Sequence, residues 1–215
     1  MYDMKNLNAG FVKNNPVFVL LLGLTTALGV TSTLTNGLGM GIVVLLVLAV
    51  SSIVIGLLKK VTPAEIVIPV NLVIIAALVK IAELLVRAYA PSLASGVGIY
   101  LPLLAVNSVL LFGVGTFDRE NGMSRNFMES MKLAFGYLLA LVVVSLFREL
   151  LATGGISLMN PLGGAEIFSA SILPDSFHMG IFNQPAGAFI ALSLVSAFFV
   201  FLQGKNSDAA VEGGK

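Results

Sequence analysis

The chain has 215 residues, 57% of them hydrophobic and 11% charged, with a formal net charge of +1, against roughly 45–50% apolar and about 25% charged in soluble domains. That composition excludes an ordinary water-soluble globule, and the near-neutral charge gives no field or motif for nucleic acid. The absence of cysteine and the single histidine, His178, exclude disulfides, thiolate nucleophiles and cysteine-held zinc or iron–sulfur clusters on this chain alone.

A mean hydropathy of +0.99 with 22 glycines and 8 prolines is that of lipid-facing helices interrupted by flexible breaks. The expected fold is all-α and integral to the membrane. Residues 1–15 contain Asp3 and several asparagines, with no small-residue cleavage site before the apolar run, so no removable signal peptide is expected. A spanning helix needs about 20 mostly apolar residues. The charge-free stretch 14–58 holds two spans, with the Thr-, Asn- and Gly-rich segment 31–41 expected as the turn between them. A third span starts near Ile66, after Pro63, and ends at Lys80, Glu83 and Arg87, which share one helical face. The fourth is expected over 97–116, the fifth over 128–151, and the sixth over 185–203.

Short loops rich in Lys and Arg stay in the cytoplasm. With the amino terminus inside, the inner side carries Lys5, Lys13, Lys59, Lys60, Arg119, Arg125, Lys132, Lys205 and Lys215, and the outer side only Lys80, Arg87 and Arg148. Both termini are therefore expected in the cytoplasm. The long outer loop 152–184 mixes glycines and prolines with apolar patches such as Ile167-Phe168, which predicts a surface-lying interfacial helix or a partner contact. Arg148 and Glu149 are expected to anchor the end of the fifth helix at the interface, and residues 205–215 to form a disordered cytoplasmic tail.

Six spans divide into two triplets, about 14–90 and 91–204, within one membrane domain over 14–204. Three spans per half force the second half to enter from the opposite face, giving two inverted three-helix repeats. The first span of each half carries a break: Gly23 to Gly29 in one, Pro102 with Val106-Asn107-Ser108 in the other. Broken helices in matching positions point to a functional centre, because unpaired backbone is tolerated in a membrane only under protein or water. The competing explanation is close helix packing by small residues.

The order and spacing of several segments resemble one family. Asn14-Asn15-Pro16-Val17, Leu22-Gly23-Leu24, Val30-Thr31-Ser32-Thr33 and Asn36-Gly37-Leu38-Gly39-Met40-Gly41 are similar to the opening of the E subunit of Rnf complexes and of its counterpart, the D subunit of Nqr complexes. The likeness continues through Ala88-Tyr89-Ala90-Pro91, Leu101-Pro102-Leu103, Val106-Asn107, Phe147-Arg148-Glu149-Leu150 and Pro185-Ala186-Gly187-Ala188. The resemblance implies a six-helix subunit of the cytoplasmic membrane of a prokaryote. It also implies a homologous sister subunit of opposite topology, and flavin-bearing and iron–sulfur partner subunits holding FMN, riboflavin and clusters. In that family the two sisters cradle a two-iron, two-sulfur cluster, and electron passage is coupled to sodium or proton movement.

The resemblance also implies two cluster cysteines in each sister, at positions that hold Thr25 and Ser108 here, and a proline where Thr26 stands. Neutral hydroxyls are poor substitutes for thiolates. The sister holding a cluster alone, another cofactor, half-helices that bind an ion or merely hold partners, and a cysteine-free engineered variant all stay open. Because the neighbouring residues differ as well, natural divergence is favoured.

Thr25, Thr26, Asn107 and Ser108 offer oxygen ligands suited to sodium, or interhelical hydrogen bonds. Glu83 is the acidic candidate for an ion path, with a surface ion-pair cluster as the other possibility. His178 is expected to be incidental. No catalytic triad or phosphate loop is present. The leading function is a membrane subunit of an Rnf- or Nqr-like redox-driven ion-translocating complex, without a complete active site of its own. The alternatives are a stand-alone inverted-repeat secondary transporter and a structural scaffold subunit.

Overall fold

The computed structural model describes residues 17–18, 21–59, 61–115, 122–160, 166–171 and 179–212. The expected cytoplasmic segment 1–13, the loop cations Lys60 and Arg119, and His178 lie outside them. Among the described residues the elements in order are α1 (Leu24–Val30), α2 (Leu34–Leu58), a 3-10 turn (Ala64–Ile66), α3 (Val67–Tyr89), α4 (Pro91–Val97), α5 (Tyr100–Leu103), a 3-10 turn (Leu104–Val106) and α6 (Ser108–Gly115). They continue with α7 (Met123–Thr153), β1 (Gly155–Met159), β2 (Glu166–Ser171), a 3-10 turn (Gly180–Asn183) and α8 (Pro185–Glu212). Among the described residues three helices, α2, α3 and α7, are long and apolar enough to cross a membrane. The bent pair Pro91–Val97 and Tyr100–Val114, turned by 69°, is a broken span or a re-entrant loop and brings the number to four if it is one span, and Pro185–Phe198 is a shorter apolar stretch.

The expected turn over 31–41 is corrected. Thr33 is extended and its side chain accepts the Asn36 amide at 3.3 Å, an N-cap that starts α2 inside the predicted turn. The glycines that suggested a loop lie within this helix because they let it approach α7. A Cβ on Gly37 would lie 2.4 Å from Ser145 Oγ, and one on Gly41 within 3.0–3.2 Å of Leu138. This is the small-residue packing that replaces hydrophobic drive inside a membrane. At its other end α2 stops where the Thr62 hydroxyl donates to the Leu58 carbonyl at 3.0 Å and Pro63 follows.

Proline and glycine punctuate the remaining helices. α3 ends one residue before Ala90, and Pro91 follows, whose ring disfavours helix at the residue before it and whose missing N–H suits the first position of α4. Gly154, with φ 70°, takes the left-handed conformation that closes α7. The spans over 66–89, 128–151 and from 185 are found as helices, with α7 beginning five residues earlier than expected. α8 continues to Glu212, past the expected start of a disordered tail, because the Ala-containing sequence extends an already nucleated helix at little cost.

The expected interfacial helix in the long outer loop is also corrected. Residues 155–159 and 166–171 form an antiparallel ladder, Gly155 opposite Ser171 and Leu158 opposite Phe168, with an irregularity between Leu158 and Met159. The Ser157 and Met159 amides are bound by the Glu149 carboxylate and the Thr35 hydroxyl, which fixes the first strand on the helical body. The core joins both halves of the chain, with Val30, Met40, Val44, Leu48, Leu101, Leu104, Leu110, Tyr137 and Leu141 all buried. Ile68, Val73, Phe189 and Phe198 are exposed, as lipid-facing residues are.

Candidate functional site at the two helix breaks

The first break lies at Leu21 to Gly23. Leu21 has φ 53° and Gly23 φ 69°, so the chain passes through the left-handed region before α1 begins. Gly23 is the only residue type that fits, since a Cβ there would meet the Tyr137 ring at 2.7 Å and Val109 at 2.8 Å. The sequence expectation of a break across 23–29 is narrowed by this: residues 24–30 are helical and the interruption precedes them. The second break sits where expected. Its last 3-10 residue, Val106, gives way to Asn107 in extended conformation, φ −69° and ψ 130°, and α6 follows. In each half a break thus precedes a short helix, of seven residues in α1 and eight in α6.

The two breaks meet. The Gly23 amide donates to Ser108 Oγ at 2.8 Å. Asn107 Oδ1 accepts the Val109 amide at 2.9 Å, capping α6, while its Nδ2 donates to Thr26 Oγ1 at 2.9 Å. Thr26 Oγ1 donates to the Gly23 carbonyl at 2.9 Å and shares a short hydrogen bond with the Tyr137 hydroxyl. With its own proton on Gly23, the Thr26 oxygen receives from both Asn107 and Tyr137 and is saturated. Thr26, Asn107 and Tyr137 are buried, whereas Thr25 and Ser108 are exposed. Thr25 and Ser108 are therefore accessible at the surface of the chain, next to the buried Gly23.

Tyr137 was missed by the sequence reading. Its signal was the lone hydroxyl-bearing ring in the apolar run 133–147, since a buried tyrosine hydroxyl needs a partner.

Arg148 and Glu149, expected at the interface, are buried inside the chain: each is 2% exposed, and both lie within α7. Its guanidinium donates to Leu28 O at 3.0 Å and Thr31 Oγ1 at 2.9 Å, at the carboxyl end of α1, and to Phe182 O at 3.1 Å and Gln184 O at 3.4 Å. Glu149 accepts the Leu34 amide at 2.5 Å, at the amino end of α2, and the Ser157 amide and hydroxyl at 2.8 and 2.6 Å. Each charge thus sits at the helix end whose dipole complements it. Neighbouring residues of α7 clamp both sides of the α1–α2 junction, a role that spacing in the sequence does not reveal.

Glu83 lies elsewhere, near the end of α3. It is buried under two exposed cations, with Lys80 Nζ at 3.0 Å and Arg87 Nη2 at 2.8 Å from its carboxylate. The shared face expected for these three residues is present. Among the described residues no group of three or more His, Cys, Asp and Glu side chains is placed to hold a metal ion.

Residues 4–196 match the Rnf-Nqr subunit family of membrane proteins. The chain belongs to the Rnf-Nqr family. It is 38% identical over 195 residues, 91% of this chain and 94% of the relative, to the E subunit of the Na(+)-translocating ferredoxin:NAD(+) oxidoreductase complex of Acetobacterium woodii. It is 38% identical over 196 residues, 87% of this chain and 83% of the relative, to the E subunit of the ion-translocating oxidoreductase complex of Shewanella frigidimarina. The E subunit of the proton-translocating ferredoxin:NAD(+) oxidoreductase complex of Clostridium ljungdahlii is 36% identical over 198 residues, 90% of this chain and 88% of that one.

Membership of the Rnf-Nqr family makes the two-iron cluster implied by the resemblance a specific test of the residues. At the positions the resemblance assigns to thiolates, Thr25 and Ser108 present neutral hydroxyls, and the Ser108 oxygen is already engaged by the Gly23 amide. The residues of this Rnf-Nqr chain do not fit the cluster.

Proposed function

We propose that this chain is the E-type membrane component of an Rnf-like, redox-driven ion-translocating complex. It contributes to transmembrane electron transfer coupled to Na+ or H+ transport. The observation that carries the reading is the meeting of the two helix breaks through the Gly23–Ser108 and Thr26–Asn107 hydrogen bonds, in a chain of this family. Matched breaks followed by short helices support two inverted three-helix repeats, about 14–90 and 91–204, with both termini cytoplasmic in a prokaryotic inner membrane. The exposed hydroxyls of Thr25 and Ser108 sit beside interrupted backbone, which lipid does not tolerate. A homologous sister subunit of opposite topology covers that face, and flavin- and iron–sulfur-bearing subunits complete the complex.

Within it, Thr26, Asn107 and Tyr137 hold the two breaks together. Glu83, an acid buried near a span end between two cations, is the group through which ion movement is sensed.

The test is gentle detergent purification of the tagged chain from its native membrane, with mass spectrometry of the co-purifying proteins and flavin assays. Recovery of a homologous sister with flavin-bearing subunits is the expected result. Recovery of the chain alone, free of flavin, would replace this reading with a self-contained transporter.

A further inference from the structure

We infer that the membrane-midplane site this chain presents to its sister is metal-free, the two helix breaks being joined by hydrogen bonds where relatives are expected to share a two-iron cluster. The inference rests on the proposed function for the existence of that sister. Ligand supply decides first. Each iron of such a cluster needs two thiolate or imidazole ligands from protein. This chain has no cysteine, its one histidine stands far from the breaks in sequence, and the two thiolates implied for the sister cover half of the requirement.

The direction of the polar groups decides second. Clusters in proteins are held and tuned by hydrogen bonds from protein donors to their sulfurs. Here the donors at the breaks turn inward: the Gly23 amide to Ser108 Oγ and the Val109 amide to Asn107 Oδ1. The Thr26 hydroxyl is saturated by Gly23, Asn107 and Tyr137, and the Tyr137 ring and Val109 fill the space a Cβ on Gly23 would need. The seam is closed by its own side chains. Electrons crossing at this level are carried by groups that other chains hold.

The complex is purified through a tag on this chain and its peripheral subunits are removed with a chaotrope. Iron, acid-labile sulfide and the electron paramagnetic resonance of the dithionite-reduced remainder are then measured for the wild type, Ser108→Ala and Thr25→Ala. Background iron and sulfide per chain and no cluster signal are expected in all three. About two irons and two sulfides per chain in the wild type would overturn the inference, as would a signal that either substitution abolishes. Thr25→Ala alters an exposed side chain, so it remains a usable test if Ser108→Ala fails to assemble. The identity of the co-purifying chains tests the proposed function separately, and each conclusion can fail without the other.

Discussion

The Gly23 amide and the Ser108 hydroxyl, 85 residues apart in the chain, share a 2.8 Å hydrogen bond that ties one helix break to the other. Ser108→Ala leaves the buried Gly23 N–H without a partner, and the expected loss is about 1–3 kcal/mol. Ser108→Thr keeps the hydroxyl and should lose less. Thermal unfolding of the detergent-solubilised chain measures both, and equal Tm values for wild type and Ser108→Ala would refute the role.

Gly23→Ala combines a left-handed backbone with a Cβ directed at the Tyr137 ring and Val109. The expected cost is about 2–5 kcal/mol, from the left-handed penalty and the overpacking together. Tyr137→Phe keeps the ring and removes only the hydroxyl that meets Thr26, so it should cost about 0.5–1.5 kcal/mol. The ranking is checked by unfolding in a graded denaturing detergent, and a larger loss for Tyr137→Phe would contradict it.

Arg148 donates in four directions to three carbonyls and one hydroxyl. A lysine there has a single ammonium and cannot span both the end of α1 and the Phe182 turn. Arg148→Lys should therefore destabilise by about 1–3 kcal/mol and free the 180–184 segment, seen as faster amide exchange at Phe182 and Gln184. Unchanged exchange at both amides would show that one ammonium suffices.

Glu149→Gln keeps one acceptor oxygen and loses the charge and the second acceptor. Ser157 makes two of the three contacts on the carboxylate, through its amide and its hydroxyl, so exchange protection at Ser157 should fall while that of the buried amides around Tyr137 holds. A uniform fall across α7 would mean instead that Glu149 supports the whole helix.

Glu83→Gln tests the ion path. Assembly with partner subunits and electron transfer to an artificial acceptor are expected to persist, while sodium or proton transport in sealed vesicles drops several-fold. Transport equal to wild type would assign Glu83 to the ion-pair cluster with Lys80 and Arg87 alone.

Sequence pattern made the long apolar helices legible, because their lengths follow from bilayer thickness. The second break was legible at Asn107, a strong N-cap in an apolar run. The beginning of α2 was not, since glycines that pack a helix against Ser145 and Leu138 look in sequence like glycines that turn a chain. The β-hairpin was missed because its position depends on Glu149, a tertiary contact. Of the site, Thr26, Asn107 and Ser108 were visible as polar groups at membrane depth. Tyr137 and Arg148 became visible only once α7 was placed against α1, as their partners in and at the end of α1 are more than a hundred residues away.

That separation has a consequence for biosynthesis. Leu34 precedes its clamp Glu149 by 115 residues, so at ordinary rates of synthesis of about 5–20 residues per second the α1–α2 junction emerges roughly 6–23 s before α7 can secure it. Throughout that interval the nascent amino-terminal half carries an unsealed kink in the bilayer. The insertion machinery has to shelter this half until the fifth span arrives.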